Sequence, residues 1–375
     1  MSLSLLGLLP AELEAQESPQ DYYMICDPDS MAYIYEYYWT DHYIPCSITI
    51  DGQLWPDCRV RIRGDSSRSL PKKSLKIKTD GALFPNGNDV MNFNADWYDP
   101  SYMRVVMASQ YYNRVGVPCF RAEHGRLNLN GSFWGLYVIV QNMDEVFLVE
   151  QGLDPTGNLY KATKDGASLV LGENVDFRWE KKSNVLEPWD DLYALIDSLH
   201  YVPDDRFGTW AEDHLETAEL ASIFASNALL ANGSTYYHNY YMYHDINGTG
   251  KWSMFPWDLD KIFAQYGASY PYHRSSTDWL RDNPLVERFF ITDSTFDQFH
   301  TRLDQLVDTS FNPGFFFPLM DSLQQVLEPS VLEDDTDDIQ TIESWYWVLN
   351  NEKTVGIEGR ILDTQSQLDH HPRGM

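Results

Sequence analysis

Strict alternation of apolar and basic side chains around a short polar loop constrains this chain more than any other feature of its sequence. A period of two belongs to a β-strand, because successive side chains point to opposite faces. The pattern therefore predicts two strands, each with one face in a core and one cationic face, joined by a Gly-Asp-Ser-Ser loop. The alternating residues are Cys58, Val60 and Ile62 with Arg59, Arg61 and Arg63, then Leu75 and Ile77 with Lys76 and Lys78.

The chain changes character near residue 143. Strand patterns prevail before it, among them MAYIYEYYW, YIPCSITI and a hairpin in HGRLNLNGSFWGLYVIV, with one helix in SYMRVVMASQYYNRVG. Helical patterns follow, most clearly EPWDDLYALIDSLH and EDHLETAELASIFASNALLANG. We therefore predict an α+β protein of two lobes, with a β-rich N-lobe over residues 20–142 and a mainly helical C-lobe over residues 143–375.

Residues 1–19 form a separate N-terminal segment in this division. Their opening, MSLSLLGLLPAELEAQ, has an apolar stretch with no Lys or Arg before it. It is compatible with the remnant of a signal peptide, a short amphipathic helix or a vector-derived scar, and the sequence leaves these open.

The charge balance excludes one class of partner. The chain carries 27 basic and 56 acidic residues, for a formal net charge of −29. Such a surface repels the phosphates of nucleic acid, so we expect no nucleic-acid partner. The charge suits an extracellular or surface location. No apolar run approaches the ~20 residues that cross a bilayer, so we predict no transmembrane segment.

The four cysteines and the acidic run near the C-terminus give weaker signals about metal sites and disulfides. Cys26, Cys46, Cys58 and Cys119 show no CxxC spacing, which argues against a zinc site. A disulfide among the first three and buried free thiols remain equal alternatives. The LEDDTDD run near the C-terminus is more typical of a solvated connector than of a calcium site.

The basic loop predicts a polyphosphate site. Between Arg59 and Lys78 lie eight basic residues and a single acid, within a strongly acidic chain. Small residues in the loop let backbone N–H groups approach an anion, while Arg and Lys neutralise it. The alternative is an ordinary solvated strand face, which the local concentration of positive charge disfavours.

A second hairpin brings oxygen ligands together. In HNYYMYHDINGTGKWSMFPWDLD two strands flank the Asn247-Gly248 turn, so Asn239 should lie close to Asp258 and Asp260. One amide and two carboxylates suit Mg²⁺ or Mn²⁺ carrying phosphate. The alternative is that both acids cap a helix beginning at KIFAQY. A cationic loop and a metal-binding hairpin together are what phosphoryl transfer requires.

At these residues the sequence resembles the spore coat protein H (CotH) family of atypical protein kinases. The resemblance is carried in order by RGDSSRSLPKKSLKIK, FNADWYDPSYMR, LNGSFWGLYVIVQNMDEVF and HNYYMYHD…GKWSMFPWDLD, over residues 45 to 265. It implies a two-lobed kinase-like fold, ATP with Mg²⁺ or Mn²⁺, and phosphorylation of serine in protein substrates. It also implies surface or coat proteins as partners and a location outside the cell or on the cell or spore surface.

The resemblance also assigns residues to roles. Phosphate contacts fall to Arg63, Ser66, Ser67 and Arg68, and the nucleotide-orienting lysine is Lys73 or Lys76. The metal ligands are Asn239, Asp258 and Asp260.

Two positions depart from the family pattern. Where the catalytic aspartate is expected, five residues before Asn239, the chain has Ser234, which cannot accept a proton as a carboxylate does. Where the N-lobe glutamate is expected, it has Gln141, which can hydrogen-bond a lysine but offers no charge. Another carboxylate, such as Asp144 or Glu145, could enter the site.

Three functions remain compatible with the sequence. The first is an active protein serine kinase with an altered base, and the second is a pseudokinase that binds nucleotide or metal as a scaffold. The third is a surface interaction protein that uses its 12 Trp and 24 Tyr residues for contacts.

Overall fold

A computed structural model describes residues 18–263, 283–334 and 341–370. Its first part is a closed barrel in the order β1-β2-β3-β4-β5-β7-β6, in which parallel pairing of β1 with β6 completes the closure. The strands are β1 (Gln20–Cys26), β2 (Ile44–Ile50), β3 (Gln53–Ile62), β4 (Leu75–Thr79), β5 (Val90–Asn94), β6 (Ala122–Leu129) and β7 (Ser132–Val140).

The alternating basic segment forms adjacent strands β3 and β4. Val60 and Leu75 are buried in the barrel interior, whereas Arg61 pairs across the ladder with Lys76 on the outer face. Like charges directly opposite one another destabilise a sheet, so this arrangement costs free energy that a bound anion would offset. The predicted alternation of apolar and cationic faces is confirmed.

The second part contains a four-stranded antiparallel sheet in the order β11-β10-β8-β9 and most of the helices. Its strands are β8 (Asn158–Ala162), β9 (Trp179–Lys181), β10 (Tyr240–His244) and β11 (Trp252–Pro256). The helices of the described chain are α1 (Pro28–Glu36), α2 (Arg104–Arg114), α3 (Glu145–Glu150), α4 (Val175–Arg178), α5 (Asp190–Tyr201), α6 (Asp204–His214), α7 (Thr217–Leu229), α8 (Pro284–Ile291), α9 (Asp293–Thr309), α10 (Pro313–Glu333), α11 (Ile342–Asn351) and α12 (Arg360–His370), with a π-helical segment Glu352–Gly359 between the last two.

Strand β7 separates two hydrophobic cores. Tyr137 and Ile139 point into the barrel core, whereas Leu136 and Val138 join the larger core of the helical part, into which α2 also packs. Because side chains alternate along a strand, one strand serves both cores. The chain is therefore α+β, with a β-rich N-terminal part and a helical C-terminal part, which confirms the predicted fold class.

Two local predictions were wrong. MAYIYEYYW is not a strand, because most of it lies in helix α1, where the Asp27 side chain accepts the Ser30 N–H at 2.8 Å and Pro28 occupies the first turn. The long helix predicted in EDHLETAELASIFASNALLANG divides into α6 and α7. Between them Glu216 donates its backbone N–H to the Trp252 carbonyl at 2.9 Å, so contact with β11 overrides the local helical pattern.

The alternatives for the cysteines and the acidic run are resolved in part. All four cysteines are free and buried. Of the LEDDTDD run, Asp334 is buried rather than solvated, so the connector interpretation is wrong for this residue. Positions 335–338 of that run and residues 1–17 of the N-terminal segment lie outside the described residues.

Within the described ranges, no helix has both the length and the apolar character needed to cross a membrane.

A buried ion pair ties the two cores together. The Lys72 ammonium, in the segment before β4, contacts the Asp334 carboxylate at 2.7 Å, and both side chains are 1% exposed. The same carboxylate accepts the Leu136 N–H at 2.7 Å, and the ammonium also donates to the Tyr102 hydroxyl at 2.9 Å. This contact anchors the end of α10 on the barrel.

Asp334→Asn should therefore destabilise the protein strongly. It removes the carboxylate charge that contacts the buried Lys72 ammonium at 2.7 Å, and breaking a buried pair from one side typically costs about 3–5 kcal/mol. Urea unfolding monitored by Trp fluorescence measures the loss. The exposed pair Arg59–Asp80 provides the control, because Asp80→Asn should change the free energy of unfolding by no more than about 1 kcal/mol. Equal effects of the two substitutions would contradict the role of the buried pair.

Candidate functional site

The end of the β10–β11 hairpin holds three polar side chains in contact. Asn239 donates from Nδ2 to the Ser234 Oγ at 3.2 Å and to Asp258 Oδ2 at 2.9 Å. Tyr240 pairs with Pro256 in the sheet, so the residues before β10 and after β11 necessarily meet. Asn239 and Asp258 both have a left-handed backbone, with φ of 61° and 59°. Such strain in non-glycine residues concentrates at functional sites.

A second pair of acids lies beside this triplet. Asp260 follows in a 3₁₀ turn (Leu259–Lys261), and Asp96 comes from the segment between β5 and α2. Burial raises the pKa of Asp96 well above its usual range, and the charges of Asp260, Asp99 and Asp258 add to the rise. Burial and the charge of Asp258 do the same for Asp260. The structure thus brings Asp96, which the sequence analysis missed, into the predicted acidic cluster.

Cations face this cluster from both parts of the chain. Arg63, at the end of β3, contacts the Asn94 side chain and interacts electrostatically with Asp258 and Asp96. Desolvation lowers the pKa of Arg63 to about 10. Desolvation, with repulsion from Lys182 and Arg61, lowers the pKa of Lys76 to about 8. An anion bound beside these partly buried cations would stabilise their charged form and raise their pKa values again.

Lys161 is the second residue that sequence reasoning missed. It lies on β8 opposite Tyr241, with its ammonium 4.3 Å from the Trp257 ring centroid, and it interacts electrostatically with Arg63 and Asp258. Desolvation, followed by repulsion from Arg63, lowers its pKa to about 7. The available signal was a single cation inside the apolar strand NLYKA.

The loop between β3 and β4 is held by its own charged residues. Arg68 donates to the Gly64 carbonyl at 2.6 Å and to Asp41 at 2.7 Å, and Lys73 donates to the Arg68 carbonyl at 2.5 Å. Ser66 and Ser67 lie in a 3₁₀ turn, Ser66–Ser69. A Cβ atom at Gly64, whose φ is +108°, would lie 2.5 Å from the Ser67 hydroxyl, so the loop requires glycine there.

Gln141 makes contacts different from those expected of a lysine partner. Its Oε1 accepts the Arg121 N–H at 3.0 Å, and its Nε2 donates to the Glu150 carboxylate at 2.5 Å. Among the described hydrogen bonds none joins Gln141 to Lys73 or Lys76. Asp144 caps α3 by accepting the Val146 N–H at 3.0 Å, so its carboxylate serves the helix.

Arg104, the first residue of α2, links the acidic cluster to the C-terminal helices. Its guanidinium donates to the Glu352 carboxylate at 2.8 Å, to the Tyr98 carbonyl at 3.2 Å and to the Asp260 carbonyl at 3.3 Å. The Asp99 carboxylate accepts the backbone N–H of Arg104 at 2.8 Å. The turn that carries Asp260 is therefore fixed through its backbone, and its side chain stays available.

Among the described residues, the acids around the hairpin end do not form a metal cage of their own. In the described part of the chain no group of three His, Cys, Asp or Glu side chains is placed to hold a metal ion. Mg²⁺ usually takes one or two carboxylates and completes its shell with water and substrate phosphates. The residues present therefore fit a magnesium–phosphate site better than a cage made only of protein ligands.

The chain is similar to a family model, to a curated protein and to a solved structure. A family model described as CotH kinase protein matches residues 60–365. The inner spore coat protein H of Bacillus subtilis (strain 168) is 24% identical over 327 residues, which cover 84% of this chain and 88% of that protein. Among solved structures, the Helicobacter pylori proinflammatory kinase CtkA covers 86% of this chain and 94% of its own, with 10% identity and a TM-score of 0.29. That TM-score supports no detailed comparison.

Gln141→Glu should destabilise the protein in a pH-dependent way rather than create a charge pair with a lysine. The new carboxyl would face Glu150, and repulsion would raise its pKa in the folded state. Each pKa unit corresponds to about 1.4 kcal/mol in the free energy of unfolding when the group is ionised. Since a raised carboxyl pKa favours the protonated form, stability should match the parent near pH 4 and fall as pH rises towards 8. Thermal unfolding at both pH values measures this. The control Gln305→Glu, beside Arg302, should show no such loss, and an equal profile for both variants would contradict the placement of Gln141.

Proposed function

The chain belongs to the CotH kinase family, and from that premise we propose that it binds ATP with Mg²⁺ or Mn²⁺ and transfers phosphate to serine in proteins. Family membership makes it a kinase-like protein. The nucleotide, the metal and the serine specificity are the proposal.

One observation carries the proposal. The Asn239 amide joins Ser234 to Asp258 at the end of the hairpin, and Arg63 from the barrel interacts with the same Asp258. A kinase needs a metal-binding amide and carboxylate on one side of its cleft and phosphate-binding cations on the other. An amide, a carboxylate and a cation from segments far apart in the sequence interact here, which supports the proposal.

The phosphates would be held by the cations of the cleft. Arg63, Lys76 and Lys161 are cations held close together against mutual repulsion in a chain with a net charge of −29. A polyphosphate removes that repulsion. The backbone of the loop at Ser66 and Ser67 would add N–H donors. Arg68 and Lys73, which we expected to contact the nucleotide, support the loop in its ligand-free form.

The metal would be held by Asp258 with the carbonyl oxygen of Asn239, and by Asp260. Because Asn239 donates to Asp258 through Nδ2, its carbonyl oxygen retains its lone pairs for a cation. When bound, a divalent cation supplies positive charge that neutralises the phosphates. The residues of the chain orient that cation and the nucleotide.

Ser234 replaces the expected catalytic base and therefore affects the rate of phosphate transfer. It is buried and bonded to Asn239, at the position where the family pattern has a carboxylate. Positioning and charge stabilisation provide most of the catalysis in kinases, so loss of the base slows transfer without removing it. The same serine favours a second candidate, a pseudokinase that binds nucleotide and acts as a scaffold.

The relative's name guides the proposal on location. Because that relative is an inner spore coat protein, we propose that this chain acts at a cell or spore surface, with coat proteins as partners or substrates. Most of the largest fully buried side chains are tyrosines, which favours a role for aromatics in the core over one in surface contacts.

ATP with Mg²⁺ or Mn²⁺ should raise the melting temperature, and Asp258→Ala should abolish the metal-dependent part of the rise. Ligand at 100 times its Kd stabilises the folded state by about 2.7 kcal/mol. Differential scanning fluorimetry with and without metal measures the shift. Asp213→Ala, on the exposed surface of α6, is the control and should respond as the parent does. No shift at millimolar ATP with either metal would exclude the nucleotide proposal.

Ser234→Asp should accelerate phosphate transfer to a serine-rich acceptor. The new carboxylate would adjoin the Asn239 amide and supply the missing base, and general-base catalysis typically contributes about 10²–10⁴-fold. Rates should be compared at saturating Mn²⁺ by mass spectrometry, because the carboxylate adds repulsion near Asp258. Ser234→Asn, of similar size but unable to act as a base, is the control. An equal gain in both variants would contradict a base role at this position. Absence of transfer in the parent and in Ser234→Asp, with ATP still bound, would favour the pseudokinase.

A further inference from the structure

We propose that Cys26 and Cys46 form a disulfide that joins strands β1 and β2 when the chain folds in an oxidising compartment. The structure shows the thiol form of both residues, which lie opposite one another in the sheet. The pairing follows from the barrel and not from the proposed function, so the two are tested separately.

Three cysteines lie in one row across adjacent strands of the barrel. Cys26 on β1 is directly opposite Cys46 on β2, and Cys46 is directly opposite Cys58 on β3. All three side chains belong to the barrel core, so they point to the same face of the sheet. Cys119 packs in the other core. Cys46 is therefore the shared neighbour of two thiols, and its partner has to be Cys26 or Cys58.

Backbone hydrogen bonds show that Cys26 and Cys46 form the closer kind of cross-strand pair. Cys26 donates its N–H to the Asn130 side chain at 3.1 Å, and the Met24 carbonyl accepts the Asn130 N–H at 2.9 Å. Asn130 directly follows β6, so these backbone groups of β1 point away from β2. Opposite residues that exchange no backbone hydrogen bonds have Cα atoms about 4.5 Å apart. A disulfide joins residues whose Cα atoms are about 4.4–6.8 Å apart, so this pair fits.

Cys58 is the poorer partner for Cys46, because its thiol already has contacts. Its Sγ donates to the Trp55 carbonyl at 3.4 Å, and the backbone of Ile48 forms a second hydrogen bond with it. The pairing of β2 with β3 also shifts register between Cys46 and Ile48, which distorts the ladder at this point. A bond to Cys58 would give up these contacts, so the geometry favours Cys26.

The disulfide forms by exchange with a small-molecule disulfide such as oxidised glutathione. One cysteine thiolate attacks that disulfide and releases the first small thiol, and the second cysteine thiolate then attacks the mixed disulfide and releases the other. The two cysteines lose two electrons and two protons, which the two released thiols carry. Burial raises the pKa of the Cys46 thiol, and the charges of Cys58 and Cys26 add to the rise. The folded barrel therefore protects the thiols, and the bond forms while the chain folds.

The disulfide would close a loop over residues 27–45, which includes α1 and Asp41. The Asp41 carboxylate accepts from Arg68 at 2.7 Å and contacts Arg61 at 2.9 Å, so it helps to hold the loop between β3 and β4. Joining both ends of this segment to the barrel wall limits the movement of Asp41. The link also stabilises the folded state, since it restricts the unfolded chain.

Refolding of the full chain in a glutathione redox buffer tests the inference. Free thiols are alkylated after unfolding and counted by intact mass, and we expect two of the four cysteines to be alkylated in the oxidised chain and all four in the reduced chain. Peptide mapping should recover a linked pair of peptides that contain Cys26 and Cys46. Oxidation should raise the melting temperature by roughly 5 °C.

Cys58→Ala is the matched control and should keep both the linked peptides and the rise in melting temperature. Cys46→Ala should lose both, because Cys26 and Cys58 lie two strands apart, about 9–10 Å, which a disulfide does not span. Each variant is compared with its own reduced form, so any loss of stability from the substitution cancels. The peptide map of the parent decides the pairing even where a variant fails to refold. Four alkylated thiols in the oxidised parent, or a map that links Cys46 to Cys58, would overturn the inference.

Discussion

The buried guanidinium of Arg104 is the interaction on which the candidate site depends. It connects the segment before α2, the turn after β11 and the π-helical segment near the C-terminus, through Tyr98, Asp260 and Glu352. A buried arginine with several acceptors is tolerable, whereas one that loses an acceptor is costly. The acidic turn is therefore held through the backbone carbonyl of Asp260, which accepts a hydrogen bond from Arg104.

Separation of charge between the outer face of the barrel and the hairpin end gives the site its chemical character. Cations gather on the outer face of β3 and β4, whereas carboxylates gather around the hairpin end. Each group repels itself, and burial enlarges the repulsion because the local dielectric is low. Arg63 lies at the boundary, where it interacts with Asp258 and Asp96. A ligand made of a polyanion and a cation would relieve both repulsions together.

Local patterns revealed the fold class and the hairpin, but not the contacts that complete the site. Alternation placed Arg61 and Lys76 on one face, and the turn at Asn247-Gly248 brought Asn239 to Asp258, because both depend on near neighbours. Glu352 meets Arg104 across 248 residues, and Asp334 meets Lys72 across 262. The periodicity of apolar residues gives no information on contacts between residues so far apart in the sequence. Helix α1 was missed because its aromatic residues resemble a strand until Asp27 and Pro28 are recognised as a helix start.

Closure of the barrel has a consequence for how the protein can associate with copies of itself. Exposed strand edges invite other chains to add strands, and a sheet closed by pairing of β1 with β6 offers none. In the second sheet the outer strands are β9, of three residues, and β11, which is joined to Leu215 by an isolated bridge. Short or covered edges resist strand addition. At high local concentration, copies of the protein would therefore associate through their surface side chains rather than by adding strands. Substitutions at the surface can change this association without altering the backbone of the fold.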